Sequence, residues 1–209
     1  MIKQLFVSLI NIIVILVITG CASAVRVDGP YEGRIIDTDS GQAIEGVVVL
    51  GVWNSVIVTP GGGTHNFHDA QETVTDINGD FKIKGLGLEV MGNIAPMDVV
   101  IFKSGYEYFG CAPWVALRNR GWKGNEESYD PVKNVKTSKP VFDPKQRVKW
   151  EGSKALIPLK NLSMAERKKQ GSPDFSSQIP GDKMKLMLDE INKDRAERGL
   201  GPFRLRGGK

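Results

Sequence analysis

Thr73-Val74-Thr75-Asp76-Ile77-Asn78-Gly79-Asp80-Phe81-Lys82-Ile83 is the stretch on which the fold class turns. Asp76 and Asn78 carry short side chains that cap nearby backbone amides, Gly79 accepts positive φ at low cost, and Phe81 and Ile83 return two apolar side chains to one face. Upstream, Phe67–Thr75 alternates, with His68, Ala70, Glu72 and Val74 on one face, so the spacing predicts two strands joined as a hairpin. Working outward, Gly46–Trp53 holds the run Val47-Val48-Val49-Leu50, continuous enough for burial on both sides, and Tyr31–Ile36 closes on the turn-forming Asp37-Thr38-Asp39-Ser40-Gly41. These two are expected to be neighbouring strands. Val99–Phe102 is another buried run ended by Ser104-Gly105, Tyr106 and Tyr108 begin the next edge, and Leu156-Ile157-Pro158-Leu159 is the last strand. Pro158 donates no ladder hydrogen bond and confines that strand to an edge or a bulge. Short strands between Gly and Asp turns, without intervening helical periods, predict a mainly β protein: a seven-stranded antiparallel sandwich.

Four segments together carry a family resemblance: Gly33-Arg34-Ile35-Ile36-Asp37, Gly41–Val49, Thr73–Ile83, and Phe102-Lys103-Ser104-Gly105-Tyr106. They resemble the carboxypeptidase regulatory-like domains, which are transthyretin-like (prealbumin-like) sandwiches. The resemblance covers Gly29–Lys160 apart from Cys111–Gly152, which reads as a long loop insertion. It implies a scaffold that stabilises or presents other parts, and it brings no catalytic residues.

The first residues give an address. Lys3 precedes an apolar run, Leu5–Ile18, and Ile18-Thr19-Gly20-Cys21 follows at once, the order of a secretory signal. The run falls short of the roughly 20 residues of a spanning helix. Ile18-Thr19-Gly20-Cys21 resembles the lipobox of bacterial lipoproteins, which implies a signal peptide over 1–20, lipidation (diacylglycerol, palmitate) of Cys21, and membrane attachment through that residue. Several acyl chains on one residue give durable anchoring. Ala22 after the cysteine resembles the sorting signal for the outer membrane, facing the periplasm. Ala22-Ser23-Ala24 supplies a conventional cleavage site as the alternative. The expected organisation is a leader (1–20), a tether (21–28), the sandwich (29–160, insertion about 111–152) and a basic helical C-terminal extension (161–209).

Composition bounds the chemistry. With 209 residues, 41% hydrophobic and 25% charged, the chain suits one packed domain. Two cysteines, Cys21 and Cys111, make no disulfide framework, and two histidines, His65 and His68, leave little for a metal centre. Catalytic zinc needs three protein ligands. His65 and His68, three apart on an extended strand, point to opposite faces, although His68 and Glu72 share one. His65, His68 and Glu72 are therefore weak metal candidates, and a metal-dependent hydrolase is the alternative reading. Asp76, Asn78 and Asp80 begin like a calcium loop, but Gly87 stands where the closing Glu belongs. The expectation is a protein that is not an enzyme, with no cofactor.

Binding is expected in the insertion, where Trp114, Trp122, Tyr129 and Trp150 are interspersed with Arg118 and Arg120. Aromatic rings among cations stack on sugars and attract anions. In an exported protein the partner expected is an anionic glycan or lipid, or an envelope protein, and not nucleic acid. The alternative is that the rings pin a long loop onto the sandwich. After Lys160 the period changes. Ser163-Met164-Ala165-Glu166 fits a capping box opening a short helix, and Asp182 is expected to cap a second one to about Arg198. Met184, Met187, Leu188 and Ile191 form one apolar stripe on it, either packed on the sandwich or docking the chain to a larger envelope machine. Residues 160–209 carry a net charge of +5 and residues 22–159 a net −2.

Overall fold

The computed structural model describes residues 25–59, 62–90, 93–119, 122–130, 135–142, 148–173 and 178–204. Along the chain run β1 (Val25–Asp28), β2 (Tyr31–Asp37), β3 (Val48–Thr59), β4 (Gly62–Val74), β5 (Asp80–Ile83), β6 (Gly87–Val90), β7 (Asp98–Phe102), β8 (Phe109–Pro113), β9 (Trp122–Asp130), β10 (Val135–Phe142), β11 (Lys149–Glu151) and β12 (Lys154–Leu159), then the helices α1 (Met164–Gln170) and α2 (Lys185–Glu197). The protein is mainly β. Two four-stranded sheets, ordered β11-β12-β2-β5 and β4-β3-β7-β8, face each other, and β1-β6 and β9-β10 form two-stranded ribbons.

Strand formation follows the apolar pattern, but the pairing differs from expectation. β2 and β3 are not neighbours: β2 lies between β12 and β5, and β3 lies between β4 and β7. They meet across the core instead, where Ile35 packs with Val47, Val49 and Trp53. The turn after β4 forms as read, with Asp76 Oδ1 accepting from the amides of Asn78 and Asp80, both at 2.9 Å. It makes no hairpin, however, because β5 leaves β4 and pairs antiparallel with β2 in the opposite sheet. β12 runs parallel to β2, Ile35 opposite Ile157, which makes it an inner strand and the sandwich mixed rather than purely antiparallel. Pro158 is tolerated there because β11 pairs only with residues 154–156. The Leu159 carbonyl accepts from Thr38, so by alternation the Pro158 nitrogen turns to the side where β11 has ended.

The inner core takes one face of each sheet: Ile35, Phe81, Ile157 and Leu159 against Val49, Trp53, Val99 and Ile101. Trp114, Leu117 and Val148 close one part of it, so the expected insertion contributes to the core. Its last residues form β11, a member of the first sheet. Likewise the expected tether is not all tether, since its last four residues are β1. The other face of β3 and β7, with Leu50, Val52, Val100 and Phe102, is buried beneath Met184, Met187 and Ile191. β3 is thus covered on both sides, as its continuous apolar run requires.

The helices form a third layer. Ser163 and Glu166 close the capping box at the start of α1. The Asp182 side chain does not cap α2. Glu72 of β4 does so from across the interface, its carboxylate accepting from the amides of Leu186 at 3.0 Å and Met187 at 2.8 Å. At the other end Arg167 of α1 pairs with Asp194 and Glu197, which also holds Ser104 at 2.8 Å, and Arg198 adds a contact to Asp194 at 2.8 Å. The extension is therefore packed on its own sandwich, and the Met187 stripe is not a free docking face.

Candidate functional site

Of the aromatic residues expected to bind a ligand, two are brought together. Trp114 opens a 3-10 turn (Trp114–Asn119) directly after β8, and Trp150 sits in the middle of β11. Their rings meet edge to face with centroids 5.6 Å apart, and Trp114 also meets Tyr31 at 5.6 Å and Phe81 at 6.1 Å. Trp114 is only 6% exposed. Its first role is therefore packing rather than open presentation, and only an edge remains for contact. Arg118 shares the 3-10 turn, and Trp122 and Tyr129 lie on β9. The side chains of those three, and all of Cys21 and Arg120, lie outside the described residues.

Beside this cluster runs an open groove of about 450 Å³, lined among others by Arg26, Val27, Tyr31, Trp114, Val115 and Trp150. Asp28 beneath it is 3% exposed and holds the site's geometry. Its carboxylate accepts from Tyr31 Oη at 2.7 Å, Trp53 Nε1 at 2.8 Å and the Leu86 amide at 3.0 Å. A buried carboxylate is tolerable when its lone pairs are filled in this way. Burial, and then the hydrogen bond to Asp28, push the Tyr31 hydroxyl well above the ordinary phenol value, so it stays a donor. The Arg26 guanidinium reaches Asp28 only at 3.5 Å, and its Nε has no hydrogen-bond partner among the described residues. Arg26, Asp28 and Tyr31 were not legible as a site. The only trace of it is an acid ending the alternating Val25-Arg26-Val27-Asp28.

A second groove, on the outer face of the first sheet, is lined by Arg34, Lys154 and Glu151. Its charges are spent on one another. Arg34 binds Asp80 through two hydrogen bonds, at 2.7 and 2.9 Å, and Lys154 reaches the same carboxylate at 2.8 Å, which holds Asp80 well below the usual carboxylate range.

The histidines do not converge. Both are exposed on β4; His65 stands opposite Val56, and His68 is the extra residue where the register slips beside Trp53. Each lies near a different acid. His65 acts on Asp98, which burial raises, and His68 acts on Asp69, where burial is outweighed only by Lys183 at 2.8 Å, the Ala70 amide and His68 together, which lower the carboxyl. Glu72, the third candidate, is occupied by the α2 amides. Among the described residues no three His, Cys, Asp or Glu side chains are grouped to hold a metal ion.

No family model and no curated protein matches the chain. A solved 9R-lipoxygenase from Cyanothece PCC8801 is similar at 11% identity over 62% of this chain and 16% of that one, with a TM-score of 0.22. The chain therefore spans about a sixth of that enzyme's length, and a likeness this distant says nothing of activity.

Proposed function

We propose that the chain is a non-catalytic, lipid-anchored module of the bacterial cell envelope, a transthyretin-like sandwich that binds or presents rather than converts. The observation that carries this reading is the junction between address and body. Val25 lies four residues after Cys21, and β1 is fixed to the core through Asp28 three residues later. Acyl chains on Cys21 would thus hold a rigid body close to the bilayer, without a long stalk. The two-sheet order, with β2 between β5 and β12 and β3 between β4 and β7, supports the transthyretin-like assignment. Most strongly paired acids serve architecture: Glu72 caps α2, Asp80 ties two strands, and Asp194 joins two helices. The groove beside Trp114 and Trp150 offers one cation and several aromatic edges, a chemistry suited to an anionic headgroup or glycan. Ala22 favours the outer membrane, with the body in the periplasm.

Mass spectrometry of the mature N-terminus tests the reading. A Cys21 peptide carrying diacylglycerol and acyl mass, absent in Cys21→Ala together with membrane fractionation, is the expected result. An unmodified N-terminus beyond residue 24, in a protein released from the envelope, would overturn it.

A further inference from the structure

The β1–β6 ribbon is apolar on the side turned away from the body. Val25 stands opposite Val90 and Val27 opposite Leu88, so the four side chains share one face. They are 51%, 61%, 71% and 66% exposed respectively. Eleven large hydrophobic side chains are exposed among the described residues, and four of them lie on these eight ribbon residues. Val115, 61% exposed, borders the same groove as Val27 and extends the patch. Scattered single hydrophobics need no explanation, but a contiguous set does. The opposite face explains the orientation. Asp28 is buried and bound to Trp53, Tyr31 and Leu86, and by alternation this turns Val25 and Val27 outward.

We propose that this face is a membrane seat, lying in the boundary between headgroups and acyl chains of the bilayer that holds Cys21. The proposal rests on the lipidation reading, which identifies the occupant. From Cys21 to Val25 the chain covers four residue steps, a reach of at most about 14 Å when fully extended. The first residues of the ribbon therefore cannot stand far from the surface. The ribbon's charged side chains, Arg26, Asp28 and Glu89, all fall by alternation on its inner face, so the outward apolar side carries no charge toward the lipid. The half-buried rings of Tyr31 and Trp150 line the groove beside it, aromatic edges that suit the boundary between headgroups and acyl chains. The seat fixes how the body stands: the ribbon and Val115 face the lipid.

The test is photolabelling of the full chain in bacterial envelopes with a lipid-soluble diazirine, read by peptide mass spectrometry. The expected result is on the order of tenfold more label per residue at Val25, Val27, Leu88, Val90 and Val115 than at Ile77 and Leu200, which are exposed elsewhere. In Val27→Ser/Leu88→Ser, with unchanged circular dichroism, label at Val90 and Val115 should fall by a similar factor. Equal labelling of Ile77 and Leu88 overturns the seat. So does a ribbon shielded from aqueous hydroxyl-radical footprinting yet unlabelled from lipid, which would mark a protein partner. The N-terminal peptide in the same spectra separates the two readings. Label on the ribbon without acylated Cys21 keeps the seat and sinks the anchor, acylated Cys21 without label keeps the anchor and sinks the seat, and the absence of both removes both.

Discussion

Two apolar stripes lie outside the inner core, and they have opposite fates. On α2 and the turn just before it, Met187, Ile191 and Met184 are fully buried against the outer face of β3 and β7; on the β1–β6 ribbon, Val27 and Leu88 remain about two-thirds exposed. Periodicity marks the helical stripe and gives no notice of the other, yet the helical one is spoken for by the chain itself. The difference lies in what polar contacts do at each place. Glu72 and Arg167 draw α2 down onto its sheet, whereas Asp28 fastens the inner face of the ribbon and so leaves its apolar side outward. An amphipathic element is evidence of a partner only once the polar groups have shown which way it is turned.

The sharpest contrast comes from one acid in each stripe. Met187→Asp places an unpaired charge at a fully buried site and should cost about 4 kcal/mol or more in urea unfolding; a loss under about 1 kcal/mol would mean that α2 does not stay packed. Asp28→Asn keeps one carbonyl oxygen but replaces the other with a donor, leaving at least one of the Trp53, Tyr31 and Leu86 donors unmatched, with an expected cost of about 1–3 kcal/mol. Tryptophan fluorescence would report the change around Trp53. Glu72→Ala removes the cap of α2 and should cost about 1–2 kcal/mol, read as lost helicity together with lower stability. Glu72 also sets a pH dependence. Burial, only partly countered by the Met187 and Leu186 amides, raises its carboxyl above 4.5. The folded state therefore favours the protonated form, and the Glu72 contribution weakens as pH rises from 4.5 through the raised value. Glu72→Gln should flatten that slope. Smallest of all, Leu88→Ser should change stability by no more than about 0.5 kcal/mol, since a solvated side chain loses no packing; a larger loss would place the ribbon's outer face inside the fold.

Much of the fold was legible where a residue's role is set by its neighbours in sequence. The Asp76–Asp80 turn, the Ser163 capping box, the double-sided burial of β3 and the Met187 stripe all follow from spacing. What stayed hidden depends on distant partners. Periodicity shows that Tyr31–Ile36 is extended, but it cannot say that the ladder beside it comes from residues 154–159, more than a hundred positions away. Val25–Asp28 and Gly87–Val90 are four residues each, too short for a pattern to rise above a tether or a loop. Glu72 looked like a ligand for an ion because nothing in Gln71-Glu72-Thr73 reveals a helix start arriving from residues 185–187. Trp114 and Trp150 were read from their mixture with cations, yet a ring's burial is decided by the sheets around it.

The ribbon joins the body at a crossing of two glycines. Both take positive φ; a methyl on Gly29 would come within 2.3 Å of the Lys84 carbonyl oxygen, and one on Gly85 equally close to that of Asp28. Two backbones lie there almost in touch, with no side chain to act as a spacer. The angle between this arm and the sandwich is thus fixed by atoms that are missing. Adding a single carbon at either position would pry the arm open and re-aim the whole molecule while every outward-facing residue stayed the same.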